Sequence, residues 1–140
     1  MALLFSYGSN YPRRLAERLG HDVDTWGAYA DGFERVFRGF STRWGGGVAS
    51  LIVSPGARTF GLVSRVDAAD LRVLDAREGV PDAYFRTEIP VVIDQGPTEA
   101  WVYIARSGEF HPPSRRYLEA VAETIATHWE PVFWQEIPVR

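Results

Sequence analysis

The most constraining feature of this sequence is a short polar turn that follows its N-terminal apolar stretch. Residues 2–5 are all apolar, and residues 7–10 read Tyr-Gly-Ser-Asn. The apolar stretch is short enough to predict a buried strand over residues 2–6. Apolar residues at helical spacing beyond the turn predict a helix over residues 11–19. Asn10 is the expected N-cap of this helix.

A turn of this kind has a chemical use. The first backbone N–H groups of a helix have no acceptors within the helix, and the helix dipole places partial positive charge beside them. We therefore expect residues 7–10 to favour a bound phosphate or carboxylate. The alternative is an ordinary capped junction between a strand and a helix that binds nothing.

Length and composition are those of a folded domain. The 140 residues include 46% hydrophobic and 14% aromatic side chains. This content is too apolar for a disordered chain, and the length suits one domain over residues 1–140. The net charge is -3, and the 15 basic and 18 acidic residues form no runs. Nucleic acids are bound by basic stripes or patches, so we expect no nucleic-acid partner.

Two residue types are missing, and their absence excludes several kinds of chemistry. The sequence has no Cys, and all 15 basic residues are Arg. A thiol nucleophile, a thiolate metal site and a Schiff-base lysine are therefore excluded. His21, His111 and His128 lie far apart, without the spacing of a local metal motif. We expect neither a metal nor an organic cofactor.

No stretch of the sequence is apolar for long enough to cross a membrane, and the first residues lack the charged and apolar segments of a signal peptide. We therefore expect a cytoplasmic protein without a membrane partner. A monomer and a homodimer are both compatible with the sequence.

Alternating and β-branched segments predict six strands, most of them joined by short turns. Ser54-Pro55-Gly56 predicts a turn that makes the third and fourth strands a hairpin, and residues 94–97 do the same for the fifth and sixth. Glycines at 45–47 predict a further turn, with a mobile lid as the alternative. The six strands cover residues 2–6, 32–40, 48–53, 58–66, 83–93 and 99–105.

Two more helices are bounded by clear signals. Asp67 is the expected cap of a helix over residues 68–78, which Gly79 brings to an end. Ser114 is the expected cap of a helix that runs from residue 115 to about residue 129. Together, six strands and three helices predict an α+β fold whose mixed, mostly antiparallel sheet closes into a small β-barrel.

Glu78 is the acid in the least expected position. It lies in the last turn of its helix, where the negative end of the helix dipole disfavours a carboxylate. Such a group is either a mild misfit on a solvated surface or a carboxylate with a raised pKa. The residues alone leave both explanations open.

The order of several short motifs resembles the γ-glutamylcyclotransferase family. These motifs are Tyr-Gly-Ser-Asn at residues 7–10, Gly-Val-Ala-Ser-Leu at residues 47–51 and Leu-Asp-Ala-Arg-Glu-Gly-Val at residues 74–80. Tyr84 and Tyr117 follow in the same order. The resemblance extends from residue 4 to about residue 118, and the first and third motifs together are far more specific than either one.

This resemblance implies a fold, a reaction and a set of site residues. The fold is a small mixed barrel with helices around it, and the reaction acts on a small γ-glutamyl substrate. Glu78 would be the general acid and base. The backbone of the turn would hold the α-carboxylate and amino group of the substrate, and a tyrosine would line the same pocket. The binding residues are then Tyr7, Gly8, Ser9, Asn10 and Tyr117.

The residues also fit this reaction on chemical grounds. Release of 5-oxoproline uses the substrate's own α-amine as nucleophile, which agrees with the missing Cys and Lys. The turn would hold either the carboxylate or the developing oxyanion, and the two tyrosines would donate hydrogen bonds or serve only as aromatic residues of the barrel wall. Two other functions stay open: a non-catalytic module that binds a small molecule, and a carbon–nitrogen hydrolase that releases glutamate.

Overall fold

The computed structural model describes residues 2–10, 12–106 and 108–126. These residues form a five-stranded barrel with three helices. The barrel strands are connected by two helices, and a third helix follows the last strand. The elements are β1 (Ala2–Ser6), α1 (Pro12–Leu19), β2 (Thr25–Ser41), β3 (Gly46–Val66), α2 (Ala68–Glu78), β4 (Tyr84–Ile93), β5 (Gly96–Ala105) and α3 (Arg115–Ala126).

The barrel closes because its first strand has partners on both sides. Strand β1 pairs antiparallel with β3 as far as Ser6 opposite Leu62, and it pairs parallel with β5 where Leu4 lies opposite Trp101. The order around the barrel is β1-β3-β2-β4-β5. The predicted α+β fold, with a mixed and mostly antiparallel barrel, is confirmed.

The sequence predicts six strands, and the structure has five. Strand β3 covers both the third and the fourth predicted strands, and its two halves both pair with β2. Residues 54–57 stand opposite the single residue Gly32 of β2, so the expected turn is a bulge in which Gly56 has a φ of 85°. The predicted hairpin of the third and fourth strands is therefore wrong, because the bulge does not reverse the chain. Strand β2 also begins earlier than predicted, at Thr25.

The other predicted turns are present. Strands β4 and β5 form the expected hairpin, in regular register from Tyr84 opposite Ala105 to Ile93 opposite Gly96. The turn between β2 and β3 occupies residues 42–45. The glycines that follow it begin β3, and a Cβ at Gly47 would collide with the carbonyl oxygen of His111. Close packing of the segment before α3 thus requires glycine there.

The predicted helix signals of α2 and α3 are confirmed where the structure describes them. Asp67 and Asp70 form a capping box at the start of α2, and Gly79 ends that helix with a φ of 67°. The Oγ atom of Ser114 accepts a hydrogen bond from the N–H of Tyr117 at 3.1 Å. The expected N-cap role of Asn10 is wrong: its Oδ1 atom accepts no hydrogen bond from the described residues in the first turn of α1, and its side chain instead forms a hydrogen bond with Glu78. Residues 127–129 of the predicted last helix, and the aromatic tail beyond them, lie outside the described residues.

Two apolar clusters determine where the ends of the elements meet. One fills the barrel, and the other packs α1 and α2 against it through Leu15 and Leu74, which are both fully buried. Leu4 of β1 belongs to the second cluster. The end of β1, helix α1 and the last turn of α2 are thereby brought to one place.

Candidate active site

A cavity of about 280 Å³ lies where β1 ends and α1 begins. All six residues expected at a site line this cavity: Tyr7, Gly8, Ser9, Asn10, Glu78 and Tyr117. Their functional roles stay predictions. The other polar and aromatic residues of the lining are Phe5, Ser6, Arg14, Arg18, Ser41, Arg43, Trp44, Tyr84 and Tyr103.

Glu78 faces this cavity from the last turn of α2. Its side chain is only 18% exposed, so it is not a surface misfit in bulk water. Burial raises the pKa of the Glu78 carboxyl, whereas Arg18, a hydrogen bond from Asn10 and the charge of Arg14 lower it. The net direction is upward. The raised pKa of Glu78 agrees with one of the two explanations that the sequence left open. Its main cause is burial, whereas the sequence suggested the helix dipole.

Tyr117 connects α3 to the turn of residues 7–10. Its hydroxyl oxygen accepts a hydrogen bond from the backbone N–H of Ala49 at 2.8 Å, and it also bonds to the side chain of Ser9. A Cβ added at Gly8 would lie 3.1 Å from this hydroxyl, so glycine allows the tyrosine to sit over the turn. Burial raises the pKa of Tyr117 to about 12, which keeps the group a neutral phenol.

Tyr7 and Tyr103 form a second contact beneath the cavity. The Tyr7 hydroxyl donates a hydrogen bond to the carbonyl oxygen of Tyr103 at 2.5 Å, and the Tyr103 hydroxyl donates to Asp75 Oδ1 at 2.7 Å. Arg86 binds the same carboxylate through Nε at 2.8 Å and Nη2 at 3.1 Å. Asp75 lies one turn before Glu78 on α2, so this network holds the helix at the barrel wall.

Two buried oxygen atoms of the lining have no hydrogen-bond partner among the described residues, Ser6 Oγ and Asn10 Oδ1. Buried polar atoms are nearly always hydrogen-bonded, so such atoms in a cavity are acceptors for a ligand or for water. Neither the N–H of Gly8 nor that of Ser9 donates to a backbone carbonyl within the described part of the chain. The turn therefore offers N–H donors and oxygen acceptors side by side.

Three arginines of the cavity lining were not predicted from the sequence. Arg14 and Arg18 lie one helical turn apart on α1, and Arg43 lies on the turn between β2 and β3. The aromatic ring of Trp44 contacts two guanidinium groups, with Arg14 Cζ at 5.4 Å and Arg116 Cζ at 5.2 Å from its centroid. The spacing of Arg14 and Arg18 on the helix after the turn was the available signal. With three arginines and one carboxylate, the lining suits an anionic ligand.

The structure also bears on metals and membranes. Within the described ranges, no group of three or more His, Asp or Glu side chains is placed to hold a metal ion. Of the three helices described here, none has the length and apolar character that crossing a bilayer demands.

Comparison with known proteins gives a consistent result. Residues 4–123 match the family model described as "Gamma-glutamyl cyclotransferase, AIG2-like". A mouse γ-glutamylcyclotransferase is 31% identical over 96% of this chain and 75% of its own length. A human γ-glutamylcyclotransferase is 30% identical over 69% of this chain, a match that spans about half of the human protein (52%).

A solved structure named "Gamma-glutamyl cyclotransferase" has the same fold, with a TM-score of 0.87 at 27% identity. The superposition covers 96% of this chain and 84% of that one. The family match covers most of the sequence, including every residue of the proposed site. The chain therefore belongs to the gamma-glutamyl cyclotransferase, AIG2-like family.

Proposed function

We propose that this protein is a γ-glutamylcyclotransferase, which converts a γ-glutamyl amino acid or amine into 5-oxoproline and the free amine. The observation that carries the proposal is the position of Glu78. A mostly buried carboxylate with a raised pKa shares one small cavity with the turn of residues 7–10. A general base and an anion-binding turn are the two parts that this cyclisation needs.

The reaction begins with a proton transfer and the formation of a ring. The Glu78 carboxylate takes a proton from the substrate's α-ammonium group, which frees the nitrogen lone pair. That nitrogen attacks the γ-carbonyl carbon, a C–N bond forms, and the carbonyl oxygen gains negative charge. Holding the two reacting groups in place is a large part of catalysis, because oriented intramolecular attack supplies on the order of 7–11 kcal/mol.

The second half of the reaction breaks the original amide. The tetrahedral intermediate collapses to the ring carbonyl as the bond between the γ-carbon and the leaving nitrogen breaks, and Glu78 returns its proton to that nitrogen. The ring nitrogen still carries one extra proton from the former ammonium group, and Glu78 accepts this proton and passes it to the released amine or to water, which leaves the neutral lactam. The products are 5-oxoproline and an amine. No group of the protein is covalently modified, which suits a chain without Cys or Lys.

The remaining lining residues have roles in binding. Backbone N–H groups of Gly8 and Ser9 suit the substrate's α-carboxylate, with the charges of Arg14 and Arg18 nearby. The oxygen atoms of Ser6 and Asn10 suit its ammonium group before deprotonation. Tyr117, a neutral phenol beside Ser9, closes the cavity on the α3 side.

The decisive experiment is a product assay by mass spectrometry with a panel of γ-glutamyl amino acids and γ-glutamyl amines. A cyclotransferase releases 5-oxoproline and no glutamate. Release of glutamate would identify a hydrolase instead, and unchanged substrate that nevertheless binds would identify a binding module.

A matched substrate sharpens this assay. The Nα-acetylated form of the best substrate cannot cyclise, because its α-nitrogen is no longer a nucleophile. A cyclotransferase leaves it intact, whereas a hydrolase that uses water can still cleave the γ-amide.

A further inference from the structure

Arg35 of β2 is a charged residue inside the barrel. Its side chain is 1% exposed, and it is the largest of the fully buried side chains that the structure describes. Its Nε atom donates to the carbonyl oxygen of Tyr7 at 2.8 Å, and its Nη2 atom donates to the carbonyl oxygen of Phe60 at 2.5 Å. Because burying a charge is costly, an arginine in this position calls for a specific role.

The carbonyl of Tyr7 lies where the regular strand pairing ends. Strand β1 pairs with β3 up to Ser6 opposite Leu62, so Tyr7 is the first residue beyond the ladder. The backbones approach closely here, since a Cβ at Gly61 would collide with the carbonyl oxygen of Ser6. Arg35 thus supplies a hydrogen-bond donor to the first carbonyl that has passed the end of the paired strand.

This bond fixes the direction of the next N–H group. The peptide between Tyr7 and Gly8 is trans, and in a planar trans peptide the C=O and the N–H point in opposite directions. With the Tyr7 oxygen held by Arg35, the N–H of Gly8 points away from the barrel interior. Gly8 lines the cavity, whereas Arg35 does not.

We propose that Arg35 is a positioning residue for the substrate-binding turn: by holding the Tyr7 carbonyl, it aims the Gly8 N–H at the carboxylate of the γ-glutamyl substrate. The inference rests on the proposed function, because it needs an anion at this turn. Arg35 touches no substrate atom and acts through one peptide plane. It should therefore affect substrate binding more than the proton transfer at Glu78.

The guanidinium charge gives a second explanation that an experiment must separate. Arg35 is close enough to Tyr7 and Tyr117 for its charge to lower the pKa of both phenols, although burial raises them more. A buried positive charge would also attract an anion into the cavity without aligning any peptide. The two explanations differ in which atom of the side chain matters.

Three substitutions separate the Nε donor from the charge. In Arg35→Gln the side-chain amide nitrogen can occupy the place of Nε, so the donor is kept and the charge is lost. Arg35→Met has similar length and neither donor nor charge. Arg35→Lys keeps a charge but has a methylene group at the place of Nε. Neutral replacements of a buried cation are often tolerated, and the Val91→Ala variant, altered in a fully buried residue outside the cavity, controls for loss of stability.

The measurements are KM and kcat for the best γ-glutamyl substrate, the inhibition constant of 5-oxoproline, and the free energy of unfolding. We expect Arg35→Met and Arg35→Lys each to weaken substrate and 5-oxoproline binding about tenfold, as expected for one lost charge-assisted hydrogen bond. Arg35→Gln should restore most of this loss. The acid limb of kcat, which belongs to Glu78, should stay in place in all three.

Other results would overturn the inference. Equal binding by the Gln and Met variants would show that the Nε donor has no role, and a Lys variant equal to wild type would assign the effect to charge. A Val91→Ala variant of matched stability with the same loss of binding would make the effect generic. Wild-type protein that releases no 5-oxoproline refutes the proposed function itself, so the two failures are distinguishable.

Discussion

The guanidinium of Arg18 lies against the carboxylate of Glu78, with Nη1 at 3.3 Å from Oε1. Both side chains are mostly buried, at 17% and 18% exposure. The pair links α1 to the end of α2, and the pKa of Glu78 is subject to two opposing influences. Burial raises the pKa of Glu78, and Arg18 lowers it. Arg18 thereby keeps a desolvated carboxylate ionised over a wider pH range than burial alone would permit.

The Arg18→Gln variant tests this balance. In the proposed mechanism Glu78 is the general base and works when it is ionised, so we expect the rate to fall as the pH drops through the pKa of Glu78. Removing Arg18 removes an influence that lowers this pKa, so we expect the acid limb of kcat to move to higher pH. A pH series of 5-oxoproline release would check this. Arg72→Gln, a change on the same helix as Glu78 but outside the cavity, is the control. An acid limb at the same pH in Arg18→Gln and wild type would show that Arg18 does not lower the pKa of Glu78.

The Glu78→Gln variant tests the base itself. The amide has nearly the size of the carboxylate and can still form hydrogen bonds, but it accepts no proton. We expect turnover to fall about 10²-fold or more while a γ-glutamyl compound still binds, and we expect the acid limb to disappear. Steady-state kinetics and calorimetric binding supply the two numbers. Equal turnover by wild type and variant would reduce Glu78 to a structural residue.

The Tyr117→Phe variant tests how α3 supports the turn. The ring contacts with Phe37 and Trp44 are kept, but the N–H of Ala49 and the hydroxyl of Ser9 lose their common partner. An unsatisfied buried donor lowers the free energy of unfolding by about 1–3 kcal/mol. We also expect KM to rise, because Ser9 belongs to the turn. Urea unfolding together with kinetics measures both, with Tyr29→Phe, a change outside the cavity, for comparison.

Local signals predicted much of this fold from the sequence. The helix that carries Glu78 was predicted with its limits because Asp67 and Gly79 act within a few residues of where they stand. At Pro55-Gly56 the sequence predicted a turn; Gly56 does adopt positive φ, but the segment is a bulge within β3. The predicted reversal of the chain was wrong, since both halves of β3 pair with β2 and residues 54–57 stand opposite Gly32, more than twenty residues away along the chain.

In the candidate site, too, local motifs were predicted from the sequence and contacts between distant residues were not. The turn of residues 7–10, Glu78 and Tyr117 were found because they stand in ordered motifs. Arg35 was assigned only to an alternating strand, and nothing local reveals that its guanidinium reaches Tyr7 at 2.8 Å inside the barrel. Such contacts depend on how the barrel closes, which periodicity does not encode.

Arg43 offers a test of the half of the substrate that leaves as the amine. It is an exposed arginine of the cavity lining, on the turn between β2 and β3, and it suits a carboxylate on the leaving group. We expect Arg43→Gln to lower kcat/KM for γ-glutamyl amino acids by roughly 1.5- to 5-fold, the effect of one exposed ion pair. γ-Glutamyl alkylamides, which lack that carboxylate, should be unaffected. The control variant is Arg115→Gln on α3, and equal losses for both substrate types would argue against the assignment.

Asp75→Asn tests the network that holds α2 to the barrel, and its signature is in the pH dependence of stability. Hydrogen bonds from Arg86, followed by the one from Tyr103, hold the pKa of Asp75 below its ordinary value. A depressed pKa stabilises the folded state at pH values above the unfolded-state pKa, about 3.9, and this stabilisation is lost as the pH falls through the folded-state value. The Asn variant cannot titrate. We therefore expect it to be less stable than wild type by about 1–2 kcal/mol at neutral pH, a range that allows for partial solvent screening. The difference should shrink in acid, because wild type then loses the same charge.

Urea unfolding at about pH 7 and about pH 3 measures both values. The control is Asp31→Asn, which breaks the exposed pair with Arg58 and is expected to change the free energy of unfolding by at most about 1 kcal/mol. A difference between wild type and Asp75→Asn that does not change with pH would mean that the ionised carboxylate contributes nothing beyond its shape.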